Sequence, residues 1–290
     1  METAELLLDC RNQHGEGIIW NPDDGRVWWT DIYGKRMWWF EPTTRRSGNV
    51  AMSDRVCCFA PRRNGGFIVA FAKGIAFFDP EVQTIIPIHS FELDKPETCF
   101  NDGRTDRQGR FIAGGMNEVG GEEKSSVLRV DADGSVTTIL TGIGCANSIC
   151  FSPDGRHMYI ADSLVGKIWT YDYDILTGTP SNRRTFKEQS IDGGTPDGSC
   201  VDSEGAVWNA EWNGRRVVRV LPDGKIDRVV CIPVLKPTCC TFGGRDLDTL
   251  FITTSRQQMT SEQLIAEQSS GSLFSFKPGV CGLRDTPFSG

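Results

Sequence analysis

The chain has 290 residues, of which 39% are hydrophobic and 24% are charged, a composition typical of a globular protein with an apolar core. Its formal net charge of −7 provides no basic surface of the kind that nucleic-acid binding requires, so we expect no nucleic-acid partner. No apolar stretch approaches the length that crosses a membrane, so we expect no membrane partner.

The N-terminal residues and the cysteines indicate the cellular compartment. Residues 1–10 contain no basic segment and only three consecutive apolar residues, so they do not resemble a secretory signal. The 11 cysteines are scattered, form no CxxC motif and include the adjacent pairs Cys57-Cys58 and Cys239-Cys240. We therefore predict reduced, mostly buried thiols and a cytoplasmic protein.

Short apolar strands separated by glycine-containing turns recur along the chain. The first unit has strands at residues 18–20, 27–31 and 36–40, and a later unit repeats the pattern at residues 149–151, 158–162 and 167–171. Equivalent turns, spaced by 39 to 50 residues, fall at Gly25, Gly65, Gly109, Gly155, Gly205 and Gly244. Such a period, with about four strands per unit, predicts an all-β fold: a six-bladed β-propeller with four-stranded antiparallel blades around a central channel.

Two further segments complete the predicted organisation. We predict that residues 5–10 add an outer strand beside residues 271–276, because a propeller must close its ring. The polar stretch at residues 261–267 is interpreted as a loop insertion. Six units fill the chain, so we predict a single domain over residues 1–290.

Polar residues recur at the start of the first strand of each unit, the strand that lines the channel in a propeller. Counting five residues back from the first residue of each turn reaches an oxygen-bearing side chain in four units: Glu16, Asn101, Asn147 and Asp197. The count is ambiguous in two units, which offer Arg55 or Cys57 and Thr238 or Cys239. The neighbouring strand residues are apolar, so these polar groups are unfavourable to bury without a partner.

Oxygen donors that converge on one axis indicate a metal ion. Glu16 and Asp197 together neutralise a divalent cation, and an asparagine carbonyl adds an uncharged ligand. We predict one divalent metal, for which Ca²⁺, Mg²⁺ and Mn²⁺ suit the oxygen ligands, while Zn²⁺ and Fe²⁺ stay open. The alternative is structural, because residues 101–103 and 196–198 are also ordinary turn sequences and Glu16 lies between two glycines.

At these positions the chain resembles the SMP-30/gluconolactonase/regucalcin family. The matching stretches follow the family's order over almost the whole chain, at residues 15–20, 100–106, 109–111, 147–149, 159–163, 196–198 and 239–244. The resemblance implies a six-bladed propeller that binds a divalent metal and opens sugar lactones. The family's Glu, Asn and Asp ligands fall on Glu16, Asn147 and Asp197.

The resemblance also implies substrate contacts. The family's substrate-contacting Asn and Asp fall on Asn101 and Asp102. A glutamate in the following loop often contacts substrate, and Glu118 is the candidate, with Glu122 and Glu123 as alternatives. The chain departs from the family at Cys99, where many members carry an arginine. The loss of a bidentate donor at this position puts the sugar preference in doubt.

A lactonase of this family would hydrolyse an aldono-lactone, such as an arabinono-, xylono-, galactono- or glucono-lactone, to the aldonic acid. The metal would polarise the lactone while Asp197 accepts a proton from the attacking water; alternatively, Asp197 is a ligand only. Two other functions compete: a non-catalytic calcium-binding or regulatory propeller, and a promiscuous lactonase or organophosphate esterase. We expect a small-molecule sugar lactone as partner and a monomer or a weak dimer. His14, two residues before Glu16, is interpreted as a surface loop residue, with a place at the mouth of the channel as the alternative.

Overall fold

The computed structural model describes residues 2–120, 124–189 and 193–290. In this part of the chain, the strands form six sheets in which neighbouring strands are mostly consecutive in sequence. These sheets are the blades of a six-bladed β-propeller. The predicted fold class, all-β with four-stranded antiparallel blades, is therefore confirmed.

The strands of the first half of the chain have the following bounds. Two short strands come first: β1 (Glu2–Thr3) and β2 (Glu5–Leu8). Blade 1 follows with β3 (Gly15–Asn21), β4 (Arg26–Asp31), β5 (Arg36–Glu41) and β6 (Arg46–Ala51). Blade 2 contains β7 (Val56–Pro61), β8 (Phe67–Phe71), β9 (Gly74–Asp79) and β10 (Thr84–Ser90). Blade 3 contains β11 (Thr98–Thr105), β12 (Phe111–Asn117), β13 (Ser125–Val130) and β14 (Val136–Ile143).

The second half continues in the same way. Blade 4 contains β15 (Ala146–Phe151), β16 (His157–Asp162), β17 (Lys167–Asp174) and β18 (Thr179–Glu188). Blade 5 contains β19 (Thr195–Val201), β20 (Val207–Trp212), β21 (Arg216–Val220) and β22 (Ile226–Cys231). Blade 6 contains β23 (Pro237–Gly243), β24 (Thr249–Thr254) and β25 (Leu273–Phe276), with the helix α1 (Ser261–Ala266) between β24 and β25.

Contacts divide the chain into two compact units of three blades. Unit 1, residues Met1–Arg55 and Gln189–Arg284, contains blades 1, 5 and 6. Unit 2, residues Val56–Glu188 and Asp285–Gly290, contains blades 2, 3 and 4. In unit 1 the first strand of blade 6, β23, packs beside both β19 and β3, and in unit 2 β11 packs beside both β7 and β15. The single domain predicted from the sequence stays a prediction.

The glycines used to find the repeat share one backbone conformation. All six have a positive φ, from 68° to 90°, at Gly25, Gly65, Gly109, Gly155, Gly205 and Gly244. A side chain is strained at such a φ, so the turn between the first two strands of a blade favours glycine. This requirement explains why the repeat is visible in the turns.

Apolar side chains fill the space between neighbouring blades within each unit. In unit 1, Trp208, Phe242 and Phe274 are almost fully buried, and the rings of Trp208 and Phe242 meet edge to face at 5.8 Å. In unit 2, Phe151 and Ile160 belong to a core shared by blades 3 and 4. Burial of this aromatic and aliphatic area is the main stabilising contribution to the fold.

The N-terminal segment confirms one prediction and extends it. Strand β2 pairs antiparallel with β25 and supplies the outer strand of blade 6, as predicted. Strand β1 pairs parallel with β22, so blade 5 has a fifth strand that the sequence did not indicate. Ala4, between the two strands, is buried in the core of blades 5 and 6.

The polar stretch near the C-terminus is not the loop that we predicted. Residues 261–266 form the helix α1, which begins with a capping box in which Thr260 and Gln263 each accept the other's backbone N–H. This reciprocal capping stabilises the first turn of a short helix that has no buried residue. The apolar periodicity that usually reveals a helix is therefore absent.

The last residues pack against both units. In unit 1, Gly282 donates a backbone hydrogen bond to Leu247. In unit 2, the fully buried Phe288 exchanges backbone hydrogen bonds with Pro61 and Arg63. The carboxylate of Asp285 pairs with the buried Arg104 at 2.6 Å. The C-terminal segment is therefore part of the packed structure of each unit.

The cysteines agree with the predicted reduced state. All 11 are free thiols, and eight of them are buried. Burial raises the pKa of the half-buried Cys10 to about 12, because a thiolate is poorly solvated there. Within the described residues, no helix is both long and apolar enough to cross a membrane.

Candidate functional site

The first strand of every blade is irregular near its start. The pairing with the second strand shifts register within residues 16–19, 56–58, 100–102, 147–150, 196–199 and 237–240. A bulge of this kind changes the direction in which a side chain points and occurs often next to functional sites. The positions selected from the sequence therefore lie at one repeated structural feature.

The register of the strands resolves the two ambiguous units. In blade 3 the turn begins at Asp106, whose carbonyl accepts the N–H of Gly109. In blade 2 the carbonyl of Arg62 accepts the N–H of Gly65 in the same way, so the turn begins at Arg62 and five residues back is Cys57. In blade 6, Gly243 pairs with Thr249 as Asn21 pairs with Arg26 in blade 1, so the count reaches Thr238. We call these six positions the strand-start set: Glu16, Cys57, Asn101, Asn147, Asp197 and Thr238.

Unit 1 contributes the two carboxylates of this set. Glu16 and Asp197 are each 6% exposed, so neither is a solvated loop carboxylate. Glu16 Oε2 accepts the N–H of Gly17, whose φ of 55° belongs to the bulge. The backbone carbonyl of Asp197 accepts a hydrogen bond from Asn209 at 3.0 Å, which holds the bulge of β19 in place.

Close packing of the first strands restricts the residue after Asp197. A Cβ at Gly198 would lie 2.4 Å from Sγ of Cys239 on β23, a distance that no packing tolerates. On the other side of β23, the hydroxyl of Thr238 donates to the carbonyl of Gly15 at 2.5 Å. The starts of β19, β23 and β3 are therefore held close together within unit 1.

Unit 2 contributes two asparagines that contact each other. Asn101 Nδ2 lies 3.2 Å from Oδ1 of Asn147 and also donates to the carbonyl of Ala146 at 2.9 Å. Asn147 Nδ2 donates to the hydroxyl of Ser163 at 2.8 Å. The amide of Asn147 is therefore oriented from both ends, with its oxygen toward Asn101.

Asp102 connects the same two strands through the backbone. Its Oδ2 accepts the N–H of Ile149 at 2.8 Å and its Oδ1 accepts the N–H of Gly103 at 2.8 Å. Burial raises the pKa of this carboxyl, because the charged form is poorly solvated. Ser148, between Asn147 and Ile149, has a φ of 57°, which is rare for a residue with a side chain. Asp102 thus supports the irregular backbone that carries Asn147.

The remaining predicted substrate contacts are less closely defined. Cys99 is buried on β11 two residues before Asn101. Glu118 is exposed just after β12, with its backbone N–H bonded to Glu97. Glu122 and Glu123 lie outside the described residues.

A second group of acidic residues, not selected from the sequence, supports the strand starts. The buried carboxylate of Asp31, at the end of β4, accepts the N–H groups of Gln13, His14 and Gly34 at 3.0–3.1 Å. Asp162 at the end of β16 makes the equivalent bonds to residues 144, 145 and 164 at 2.8–3.1 Å. Each carboxylate therefore fixes the loop that leads into a strand-start residue.

The residues two positions before the strand-start set were mostly not selected; the exceptions are His14, Cys99 and Arg55, the last offered as an alternative to Cys57. We call them the preceding set: His14, Arg55, Cys99, Cys145, Thr195 and Lys236. Each member of this set lies at or next to the first residue of the first strand of its blade. Counting from the same turns, with an offset of seven, would have found them.

His14 and Lys236 lie in one aromatic cluster within unit 1. The His14 ring is 5.5 Å from that of Trp212 and 5.8 Å from that of Tyr33, and its Nδ1 is 2.9 Å from the hydroxyl of Ser255. Burial, together with the charge of Lys236, lowers the pKa of His14 to about 3. The interpretation of His14 as a surface loop residue is therefore wrong, because the loop before β3 packs into this cluster.

Comparison with known proteins assigns the arrangement to a family. Residues 14–256 match the model of the SMP-30/gluconolactonase/LRE-like region. An L-arabinolactonase of Azospirillum brasilense is 35% identical over 292 residues, which cover 99% of this chain and 96% of that protein. A 6-deoxy-6-sulfogluconolactonase of Pseudomonas putida is 32% identical over 290 residues, covering 100% and 99%.

A solved structure agrees with these sequence matches. A calcium-binding protein, regucalcin, of Agrobacterium tumefaciens superimposes with a TM-score of 0.93 at 26% identity, covering 99% of this chain and 97% of that one. The similarity thus extends over the whole chain in both sequence and fold.

Proposed function

This chain belongs to the SMP-30/gluconolactonase family, and on that premise we propose that it hydrolyses a sugar lactone to the aldonic acid with one divalent metal ion. Relatives of similar length are named as sugar lactonases, which supports the reaction class. The observation that carries the proposal is the burial of Glu16 and Asp197 at one repeated position of two blades. Buried carboxylates at a matched offset are expected in a metal site and have no evident role in a scaffold.

The donor set fits a hard cation. We propose Glu16, Asn147 and Asp197 as the protein ligands, which supply two charges and one neutral amide oxygen. Among the described residues, no group of three or more His, Cys, Asp or Glu side chains is arranged to bind a metal. In this proposal Asn147, whose side-chain amide donates to Ser163, supplies the third ligand. An all-oxygen set suits Ca²⁺, Mg²⁺ or Mn²⁺ and also accepts Zn²⁺ or Fe²⁺.

The chemistry divides between the ion and the protein. When bound, the metal acts as a Lewis acid toward the lactone and lowers the pKa of water. We propose that Asp197 accepts the proton of the water that attacks the lactone carbonyl; in the alternative, Asp197 only binds the metal. Ring opening then leaves a carboxylate at the former carbonyl and a hydroxyl at the former ring oxygen.

The other predicted residues orient the sugar. In this proposal Asn101 contacts the substrate, and Asp102 holds the backbone between the two asparagines and contributes its remaining lone pairs to the sugar hydroxyls. Glu118 reaches the substrate from its exposed loop. Cys99 supplies no bidentate donor, so the preference among arabinono-, xylono-, galactono- and glucono-lactones depends on other groups.

Hydrolysis of these four lactones, followed by acid release at constant pH, tests the proposal. We expect turnover that is lost with EDTA and restored by a divalent metal. Asp197→Ala should abolish turnover, and Asp223→Asn, at an exposed residue paired with Lys225, serves as the matched control. If Asp197→Ala keeps its metal by elemental analysis and keeps its activity, Asp197 is not the base. If none of the lactones is hydrolysed in any metal, the proposed reaction is wrong.

A second candidate is a non-catalytic calcium-binding propeller. It is favoured by the name of the structural relative, a calcium-binding protein. Calorimetry with Ca²⁺ on the protein that fails to turn over lactones would support it, while metal-dependent turnover would reject it. An organophosphate esterase activity would share the same residues and is tested with a phosphotriester in the same assay.

A further inference from the structure

We propose that Lys236 recognises an anionic substituent of the substrate, so that the preferred lactone carries a carboxylate, sulfonate or phosphate away from its reacting ester. This inference rests on the proposed function and specifies the substrate class of the same site. The surroundings of Lys236 within unit 1 support it.

Lys236 has little exposed surface, and within the described residues no carboxylate pairs with it. The residue is 3% exposed, and its Nζ lies 4.3 Å from the centroid of the Trp212 ring. Among residues 2–120, 124–189 and 193–290, no side chain forms an ion pair or a hydrogen bond with this ammonium group, and its nitrogen is not one of the fully buried atoms that lack a partner. Burial lowers the pKa of Lys236, as expected for an ammonium group that lacks compensation.

Other lysines of unit 1 show the usual arrangement. Lys35, Lys225 and Lys277 are at least half exposed, and each pairs with an aspartate on the surface. A lysine that is buried without such a carboxylate is unfavourable for folding, and a ring contact offsets only part of that penalty. A bound anionic ligand would compensate the charge of Lys236, and unfavourable charges of this kind are frequent at functional sites.

Three rings form a row next to Lys236. Trp212, His14 and Tyr33 follow one another with centroid distances of 5.5 and 5.8 Å. Tyr33 is 37% exposed and therefore marks the open end, whereas Lys236 lies at the buried end beside Trp212. The guanidinium of Arg55 lies 5.6 Å from the Tyr33 centroid. The row of rings therefore has a cationic side chain at each end, Lys236 beside Trp212 and Arg55 beside Tyr33.

The cluster adjoins one of the proposed metal ligands. His14 precedes Glu16 by two residues, directly before β3. Thr238, two residues after Lys236, donates to the carbonyl of Gly15, directly before Glu16. In this proposal, a ligand held near Glu16 contacts Lys236 with another part of the same small molecule. At the position equivalent to Lys236, blade 3 has the uncharged Cys99. The only lysine or arginine side chains in the preceding set are therefore those of Lys236 and Arg55.

The proposal is tested with matched lactones. D-Glucono-1,5-lactone is compared with its counterparts that carry a carboxylate, a sulfonate or a phosphate at carbon 6. For the unmodified protein we expect kcat/KM to be at least tenfold higher for an anionic lactone. In Lys236→Met we expect a 10- to 100-fold loss for the anionic lactones, mostly in KM, and less than a threefold change for the neutral lactone. Lys225→Met, which removes a surface lysine, is the matched control and should change neither.

Binding without turnover gives an independent readout. 1,5-Anhydroglucitol and its 6-sulfate and 6-phosphate esters lack the reacting ester, and their binding is measured by calorimetry. We expect the esters to bind at least tenfold more tightly than the neutral ring, and this difference to disappear in Lys236→Met. Which ester binds best identifies the anion. The unfolding midpoint of Lys236→Met should be equal to or above that of the unmodified protein, because a buried charge is removed.

Several results would overturn the inference. Equal binding of neutral and anionic ligands by the unmodified protein would remove the basis for anion recognition. If kcat of Lys236→Met fell equally for the neutral and the anionic lactones, Lys236 would act at the reacting carbonyl instead. A lower unfolding midpoint for Lys236→Met, with unchanged ligand preference, would make it a structural residue. If no lactone is hydrolysed but the esters still bind through Lys236, the proposed reaction fails and the anion site stands.

Discussion

Asn101 donates a hydrogen bond from its side-chain amide to Oδ1 of Asn147, 3.2 Å away, and Asn147 donates in turn to Ser163. This chain of contacts leaves the oxygen of Asn147 with one lone pair for a further partner. Asn101, a proposed substrate contact, and Asn147, a proposed metal ligand, are therefore linked by a direct hydrogen bond, although they belong to different blades.

Removal of the Ser163 hydroxyl tests this connection. In Ser163→Ala the amide of Asn147 loses the acceptor that orients it, so we expect divalent-metal affinity to fall about 10- to 100-fold. Calorimetric titration with Ca²⁺ or Mn²⁺ measures the change. Ser135→Ala, in an exposed turn of the same unit, is the control. An unchanged affinity would show that Ser163 does not orient a metal ligand.

The carboxylate of Asp31 should be important for stability. Asp31→Ala leaves three N–H groups without their acceptor, and we expect the free energy of unfolding to fall by about 2–4 kcal/mol. Asp31→Asn retains one acceptor oxygen and should have a smaller effect. Urea unfolding measures both, with Asp94→Ala, at an exposed residue, as a control whose midpoint should not move. Equal midpoints for Asp31→Ala and the unmodified protein would contradict this role.

The C-terminal segment contributes an ion pair whose cation is buried. Asp285→Ala leaves the guanidinium of Arg104 without its carboxylate, which should lower the free energy of unfolding by about 3 kcal/mol. The double variant Arg104→Met/Asp285→Ala removes both charges and should recover much of that loss. A double variant that is less stable than Asp285→Ala would mean that Arg104 contributes mainly through its other contacts.

Buried tyrosines should make the protein sensitive to alkali. Burial raises the pKa of Tyr159 to about 12, and burial together with the Asp106 carboxylate raises that of Tyr173 further. The unfolded chain ionises these phenols near pH 10, so their stabilising contribution is complete below pH 10 and is lost as the pH rises through the folded values.

Two measurements check this dependence. Absorbance at 295 nm should show fewer phenolates at pH 11 than the four tyrosines of the chain, and urea unfolding should show a falling midpoint between pH 10 and 12. Tyr173→Phe removes one titrating phenol together with its hydrogen bond to Asp106, so its midpoint should fall less steeply with pH. Complete ionisation of all four tyrosines by pH 11 in the folded protein would contradict the prediction.

Local rules were enough to predict the blades. A turn between the first two strands of a blade favours a residue at positive φ, so the glycines at Gly25 and its five equivalents recur at a readable interval. The same interval located Glu16, Asn101, Asn147 and Asp197, because a residue counted from a turn keeps its place in the strand. The helix at residues 261–266 escaped prediction because it buries no apolar face and depends on its cap.

The amino-acid sequence by itself determined the propeller and one repeated position in four of its six blades, because turn geometry and strand alternation act over a few residues. Only the tertiary structure decided which side chains meet across blades. Lys236 and Trp212 come together through the packing of blades 5 and 6, and Asp285 reaches Arg104 across 181 residues. Contacts between distant segments leave no periodic signal in the sequence, since each depends on how separately formed sheets pack.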